Sequence, residues 1–375
     1  MRNLFKLKPG STIGIVGGGQ LGRMMAISAR YKGYRVGVLD PVIDCPTSQV
    51  ADFQIIGAYD DKEKLRELAA NSDVVTYEFE NVDVDAINHI IELVPVPQGV
   101  DLLAISQDRL LEKEFLESQG IVIAPYATII HPSDVASSVA SLGLPAVLKT
   151  TRGGYDGKGQ HVIYSQSDIA PALELLRSST CVLEAMIAFE KEISIIISGN
   201  GNGDYTVFPV SENIHRNNIL FETIVPARVD DEVAAEAKRI ARQIAEGLNL
   251  AGTLCVEMFL TQEGAIYVNE IAPRPHNSGH YSIEACSQSQ FDTHIKGICG
   301  LELGDVHLLS PALMVNILGD EYYQTIDLID DKPNWSFHYY GKSEAKKGRK
   351  MGHLTILTKN ISDTLEEVYQ TKIWE

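Results

Sequence analysis

Apolar and polar positions follow two different periods along this chain. Short apolar runs at 12–16 (TIGIV), 35–40 (RVGVLD) and 74–77 (VVTY) break into glycine or polar residues, as buried strands do. Between and after them the period lengthens. Val84, Ile87, Ile91 and Val94 fall at i, i+3, i+7 and i+10, which predicts one face of a helix over 83–94. This strand–helix alternation predicts a parallel sheet with helices on its faces, closed by the punctuation PVPQG at 95–99. A second region opens with a helix (SQDRLLEKEFLESQG), and its later strands read as antiparallel: ISIIIS, then the pair TLCVEMFL and AIYVNEI. A helix over 231–248 carries Val233, Ala237, Ile240, Ile244 and Leu248 on one face, with acidic residues in its first turn, where they suit the helix dipole. The last stretch holds short strands, a basic loop (KSEAKKGRKMGH) and a closing helix, expected as a small unit packed on the second region.

Composition narrows the partners. Of 375 residues, 45% are hydrophobic and 22% charged, which excludes global disorder. Thirty-two basic against 50 acidic residues leave a net charge of −18. Such a surface repels nucleic-acid backbones, so no polynucleotide partner is expected, and an anionic substrate must meet a local basic cluster. No apolar run approaches the ~18–20 residues of a membrane span, and the first residues lack the apolar stretch of a signal peptide. Five scattered cysteines with no CxxC pair read as buried thiols of a cytoplasmic protein, not as a disulfide scaffold or structural zinc site.

Gly17, Gly19 and Gly22 form GxGxxG between a strand and a helix, and Asp40 ends the next strand 23 residues after Gly17. That is the pattern of a dinucleotide site, with a helix N-terminus facing a pyrophosphate. The glycines equally suit a tight turn, or amides that hold another phosphate. Nothing downstream resembles hydride-transfer machinery, so the fingerprint is assigned to a substrate phosphate or to the turn.

The hairpin around TQEG carries more chemistry. A two-residue turn at Glu263–Gly264 would set Glu257 opposite Glu270, on one face with Phe259 and Val268. Opposed like charges destabilise a sheet unless neutralised, and Mg²⁺ takes one or two carboxylates together with phosphate oxygens. The adjacent Asn269 offers a further oxygen. The alternative is two glutamates on a wet sheet face, against which the apolar neighbours argue. Residues 153–160, GGYDGKGQ, are not a Walker A, because no GK[ST] follows; they read as a flap over a triphosphate or as a plain flexible turn. Lys149 in PAVLKT either snorkels to water or pairs with phosphate. VLEAMI ends a strand at Glu184, and Glu192 follows; such a linker can pair with an adenine edge while a carboxylate accepts ribose hydroxyls.

Lys149, GGYDGKGQ, EAMI with Glu192, ENIHRN, Glu257 and NEIAPRPHNSGH together resemble the ATP-grasp carboxylate–amine ligases. GGGQLGRM, YEFENV and YYGKSEAKKGRKMGH fit the branch that carboxylates a purine-pathway ribonucleotide, and the resemblance covers nearly the whole chain. It implies a mixed α/β and α+β ATP-grasp fold. A Rossmann-like parallel-sheet domain would span 1–104 and an ATP-grasp region with a small flap-bearing domain 105–300. A small C-terminal domain carrying the basic substrate loop, on antiparallel sheet, would span 301–375. It also implies ATP, Mg²⁺, bicarbonate and 5-aminoimidazole ribonucleotide as reactants, a homodimer, and the question of hand-over to a mutase.

By the same resemblance, Arg109, Lys149, Gly154, Tyr155, Asp156, Gly157, Lys158, Gly159, Gln160, Glu184, Ala185, Met186, Ile187, Glu192, His215, Asn269 and Glu270 line the nucleotide site. Glu257 and Glu270 hold the metal. Gln20, Leu21, Glu78, Asn277, Lys342, Arg349 and Lys350 contact the ribonucleotide. Lys158 stands where many relatives carry arginine, which loses a bidentate fork, and Lys347 where a proline before GRK is common.

The expected chemistry is phosphorylation of bicarbonate to carboxyphosphate, its breakdown to CO₂, and capture by the ribonucleotide amine. Arg274, held between Pro273 and Pro275, is expected on the bicarbonate or carboxyphosphate, or else on a structural carboxylate. Asp156 would orient the amine or else shape the turn, and Lys342 joins them as a catalytic candidate. Lys342, Lys346, Lys347, Arg349 and Lys350 fall within nine residues and would take the ribose phosphate, with Gly348 letting the backbone approach. Other readings are a formate-dependent glycinamide ribonucleotide transformylase or biotin carboxylase, an NAD(P)-dependent oxidoreductase, and a silent nucleotide-binding regulator.

Overall fold

The computed structural model describes residues 5–154, 157–177 and 179–374, so the expected flap residues Tyr155 and Asp156 lie outside the described residues. Three sheets organise the chain. The first is parallel, in the order β3-β2-β1-β4, from β1 (Thr12–Val16), β2 (Arg35–Asp40), β3 (Phe53–Ile56) and β4 (Val74–Tyr77). Three of these follow the apolar runs; β3 was not expected, because FQII is short and broken by a glutamine. The helix expected over 83–94 spans only Val84–Asn88, and Ile91 stays 37% exposed. The chain instead turns to bring the Pro95 carbonyl onto the Val75 N–H, 2.9 Å away, extending the cover of β4.

The second sheet is antiparallel, in the order β5-β8-β6-β7, from β5 (Tyr126–Ile129), β6 (Ala146–Thr150), β7 (Gln160–Ile163) and β8 (Cys181–Ala185). It carries the glycine-rich loop between β6 and β7. The third sheet has nine strands. Its members are β9 (Phe189–Asn200), β10 (Tyr205–Val207), β11 (Ser211–Arg216), β12 (Ile219–Val225), β13 (Ala251–Thr261) and β14 (Ile266–Ala272), then β15 (Ala312–Leu318), β16 (Ser336–Tyr339) and β17 (Lys350–Leu357). They run β14-β13-β9-β11-β12-β15-β17-β16, with β10 on β9.

The expected third unit therefore does not pack as a separate layer. Its strands continue the sheet of the middle region through β12–β15 pairing, where Glu222 faces Val315. Strand alternation sorts the two faces of this large sheet. Ile193, Ile195 and Ile197 of β9, with Leu254, Val256 and Met258 of β13, bury against Ala237, Ile240 and Ile244 of the helix Asp231–Gly247. The intervening residues, Ser194 and Ile196 on β9 and Cys255, Glu257 and Phe259 on β13, fall on the opposite face. Among the described residues no helix is long and apolar enough to cross a membrane, and all five cysteines are free and buried.

Candidate active site

The glycine turn is filled from within the chain. The helix Gln20–Tyr31 begins at Gly19 and carries no acidic residue in its first turn, so its N-terminal amides need an acceptor. Glu78, just past β4, supplies it: the Gly22 N–H donates to one carboxylate oxygen at 2.6 Å and the Gly19 N–H to the other. Asp40 accepts from the Gly18 N–H at 2.7 Å and from the Tyr59 hydroxyl at 2.6 Å. A Cβ at Gly19 would lie 2.6 Å from the Glu78 carboxylate, so glycine is needed there for the approach of a side chain and not of a pyrophosphate. This corrects the substrate-phosphate assignment and removes the ground for a dinucleotide enzyme; the turn reading stands. Burial pushes the Glu78 carboxyl up, against the pull of the two amides.

Glu257 and Glu270 do pair across β13 and β14. The route differs from the expected one. Thr261, not Gln262, pairs with Ala265 across a three-residue loop in which Gly264 has φ +83. The register is one short as far as Met258–Val268, and a bulge at Asn269 restores it at Glu257–Glu270. Val268 consequently packs on the helix side with Met258, while Phe259 remains on the carboxylate face and stacks on Phe189, ring centroids 4.6 Å apart.

The Glu257 side chain is 18% exposed, and Glu270 stands at the exposed rim. Burial first, then the charges of Glu270 and Glu192, push the Glu257 carboxyl well up. Behind them the fully buried Glu112 accepts the Ile271 N–H at 2.5 Å, and burial with the Glu270 charge raises it to about 8. His276 Nε2 lies 3.4 Å from Glu257, its ring held by a 2.9 Å contact between Nδ1 and the Ser278 hydroxyl.

Arg274 sits in the field of these carboxylates, yet its fork is engaged by Glu80, with Nε and Nη2 at 2.5 and 3.1 Å. Burial would raise the Glu80 carboxyl, but the Arg274 charge overrides it and holds it low.

Most of the residues expected at the nucleotide lie on or beside the second sheet, whereas Glu192, His215, Asn269 and Glu270 lie on the third. Lys149 does not snorkel: its ammonium is 2.9 Å from Glu184, whose other oxygen meets the buried Lys113 at 3.1 Å. Those two charges hold the buried Glu184 carboxyl below its usual range. Arg109 donates to the Thr150 carbonyl at 3.0 Å and reaches Gly154, where a Cβ would lie 3.3 Å from its guanidinium. Gly157 and Gly159 adopt φ +79 and +70, and the Gly159 carbonyl accepts the Thr150 N–H at 2.9 Å, tying Lys158 and Gln160 to the foot of β6. The linker after β8 spends the Ala185 and Met186 N–H groups on the Pro125 and Pro145 carbonyls, before Ile187. Glu192 lies 3.1 Å from His215 Nδ1.

The basic loop divides in two. Lys346 and Lys347 are exposed, with Lys346 on Glu344 at 2.8 Å. Lys342, Arg349 and Lys350 are at least half covered, and Lys342 Nζ donates to the Lys350 carbonyl at 2.6 Å. The Gly348 N–H donates to the Asp320 carboxylate at 3.0 Å. Burial, with the charges of Arg349 and Lys350, lowers the Lys342 ammonium to about 8, opposed by Glu78. Gln49, between β2 and β3, donates to the Gly341 carbonyl at 2.9 Å and accepts from Arg23 at 2.8 Å, which joins this loop to the helix that opens with Gln20 and Leu21. Asn277 is buried, and neither end of its amide has a partner among the described residues, as a ligand contact would leave it. Sequence reasoning missed the parts played by Lys113, Glu112, Glu80 and His276, although the last two stand in YEFENV and NEIAPRPHNSGH; it also missed Phe189, which reaches the carboxylate face only because the β9–β13 register shifts beside Thr261.

A small antiparallel sheet with a glycine-rich loop, followed in the chain by a larger antiparallel sheet with a carboxylate pair, is the arrangement of an ATP-grasp ligase. An ATP-grasp domain model matches residues 114–291, a ribonucleotide synthetase preATP-grasp domain 10–107, and a phosphoribosylaminoimidazole carboxylase C-terminal domain 312–367. The N5-carboxyaminoimidazole ribonucleotide synthase of Bacillus subtilis (strain 168) is 49% identical over 364 residues, 96% of this chain and 95% of that one. A Staphylococcus aureus N5-carboxyaminoimidazole synthetase solved with ADP superposes with a TM-score of 0.94 at 46% identity over 98% of both chains. An Aspergillus clavatus synthase in complex with ADP and 5-aminoimidazole ribonucleotide gives 0.90 at 32% identity, over 96% of this chain and 97% of that one. The chain belongs to the N5-carboxyaminoimidazole ribonucleotide synthases. Its activity is the ATP- and bicarbonate-dependent carboxylation of 5-aminoimidazole ribonucleotide in purine biosynthesis.

Proposed function

We propose that the reaction is assembled on the carboxylate face of β13 and β14, with the flap sheet closing from one side and the basic loop from the other. The observation that supports this is the Glu257–Glu270 register pair beside Glu192, an arrangement that costs energy until a cation enters. The donors are oxygens, the set Mg²⁺ takes, so Glu257, Glu270 and the Asn269 side-chain oxygen would hold it. When bound, the ion neutralises charge on the phosphates.

In this reading the adenine edge uses the Ile187 N–H and the carbonyls of the Glu184–Ile187 linker. Glu192 and His215 take the ribose. Arg109, Lys149 and the loop from Gly154 to Gln160, with Tyr155, Asp156 and Lys158, embrace the triphosphate. Bicarbonate oxygen attacks the γ-phosphorus as ADP leaves; carboxyphosphate then separates into CO₂ and phosphate. The ribonucleotide amine adds to CO₂ and loses a proton. The protein contributes position and charge: Arg274, fixed by Glu80, sets a positive field at the developing anions, and Asp156 orients the amine. Lys342, Arg349 and Lys350 meet the 5-phosphate, with Gln20, Leu21, Glu78 and Asn277 around the sugar and base.

The segments 1–104, 105–300 and 301–375 are kept as a division of labour, although the last two share a sheet. The reading includes a cytoplasmic homodimer that could hand its labile product to a mutase. The test is ADP release with bicarbonate, with and without 5-aminoimidazole ribonucleotide. Strict dependence on the ribonucleotide, and its loss in Glu257→Ala and Glu270→Ala, is the expected result. Retained turnover in both variants sinks the carboxylate assignment.

A further inference from the structure

Cys255 precedes Glu257 by two residues on β13, so the pleat turns both side chains to the same face. His276, beyond the end of β14, folds back over them. One ligand atom of each, Cys255 Sγ, a Glu257 oxygen and a His276 ring nitrogen, lies within 4.8 Å of the others. The His276–Glu257 separation of 3.4 Å is already that of two ligands on one tetrahedral ion. Ser278 orients the ring: its N–H donates to Nδ1 at 3.3 Å and its hydroxyl meets the same nitrogen at 2.9 Å, so Nε2 is the nitrogen turned toward Glu257 and in the neutral ring it carries the proton that a metal displaces. Among the described residues the Cys255 sulfur has only the soft contact with the Ser278 hydroxyl at 3.8 Å to give up.

We propose that Cys255, Glu257 and His276 form a binding site for a thiophilic divalent cation such as Zn²⁺, Cd²⁺ or Co²⁺, and that its occupation antagonises catalysis. One sulfur, one nitrogen and one oxygen donor suit these ions and not Mg²⁺, which demands oxygen. Ligands on a tetrahedral zinc stand about 3.3–3.7 Å apart, so the cysteine has at most about 1.5 Å to close. On binding, the S–H bond breaks, a sulfur–metal bond forms and the thiol proton leaves to solvent; the Nε2–H bond gives way to a nitrogen–metal bond, and the ring takes its proton at Nδ1, where the Ser278 hydroxyl turns to accept it. The ion enters from the side of Glu257 and His276, the partly open side of the triad. Binding stands apart from the magnesium reading; the antagonism rests on it, because Glu257 serves both ions.

The test is titration of the whole protein with Co²⁺ without nucleotide, following the thiolate-to-metal charge-transfer absorption. One equivalent should bind with that band, and Cys255→Ser should lose it. The same variant should keep Mg²⁺-supported ADP release while its half-inhibitory Zn²⁺ concentration rises at least about tenfold, the low end of what losing even an outer-shell partner costs. Should the serine variant lose its native circular dichroism, Cys255→Ala makes the same comparison. No band in the wild type, or an equal band in the variant, overturns the site. A Cys255-dependent band that Mg²⁺ does not weaken upholds the site and counts against Glu257 as a magnesium ligand.

Discussion

The Lys342 ammonium offers a quantitative handle on the ribonucleotide site. Burial, then the charges of Arg349 and Lys350, bring it down to about 8. Between about pH 7 and pH 9 the charged fraction of such a group falls from about nine-tenths to about one-tenth. If the ammonium form alone holds the 5-phosphate, the KM for 5-aminoimidazole ribonucleotide rises about tenfold across that interval. The KM for ATP should not follow, because Lys342 lies on the basic loop and not at the flap. Steady-state ADP release at saturating ATP measures the first, and saturating ribonucleotide the second. Lys342→Arg keeps its charge throughout and should flatten the profile, though with a poorer fit at the Lys350 carbonyl. A wild-type profile flat to within about twofold, or the same rise in Lys342→Arg, refutes the reasoning. Folding stability responds in the opposite sense. The unfolded lysine binds its proton more tightly, so the cost of burying the ammonium is complete below about pH 8 and is relieved as pH rises toward 10.5.

Three further outcomes follow from buried carboxylates. Glu78→Gln can accept only one of the Gly19 and Gly22 N–H groups and turns its own NH₂ toward the other; a loss of about 2–4 kcal/mol and a lower melting temperature are expected, and an unchanged melt would return the glycine turn to an outside anion. Glu184→Gln leaves Lys113 and Lys149 without their shared anion, which should cost about 3–5 kcal/mol in thermal or urea unfolding and weaken ATP binding; a neutral effect contradicts the pairing. Glu257→Gln should abolish Mg²⁺-dependent turnover by at least about a hundredfold yet raise the melting temperature in chelator. The sign follows from the raised carboxyl: the folded side chain holds its proton more tightly than the unfolded one, so the metal-free protein gains stability as pH falls toward the ordinary carboxylate range. A lower melting temperature for Glu257→Gln in chelator would show that the pair is not strained.

The sequence by itself determined the opposition of Glu257 and Glu270, the parallel start of the fold, and the helix Asp231–Gly247, because each depends on a local period. Even there the pairing arose by compensation, a three-residue loop offset by the bulge at Asn269, which moved Val268 to the other face. What only the tertiary structure decided is which partner each charge meets. Glu78 comes from 59 residues away to fill the glycine turn, and Glu80 from 194 residues away to hold the fork of Arg274. The spacing GxGxxG states that something negative belongs at those amides; a carboxylate and a phosphate satisfy them alike. Backbone register is fixed by neighbours along the chain, whereas the partner of a buried charge is whatever the packing of distant segments delivers, since an unpaired charge there costs too much to persist.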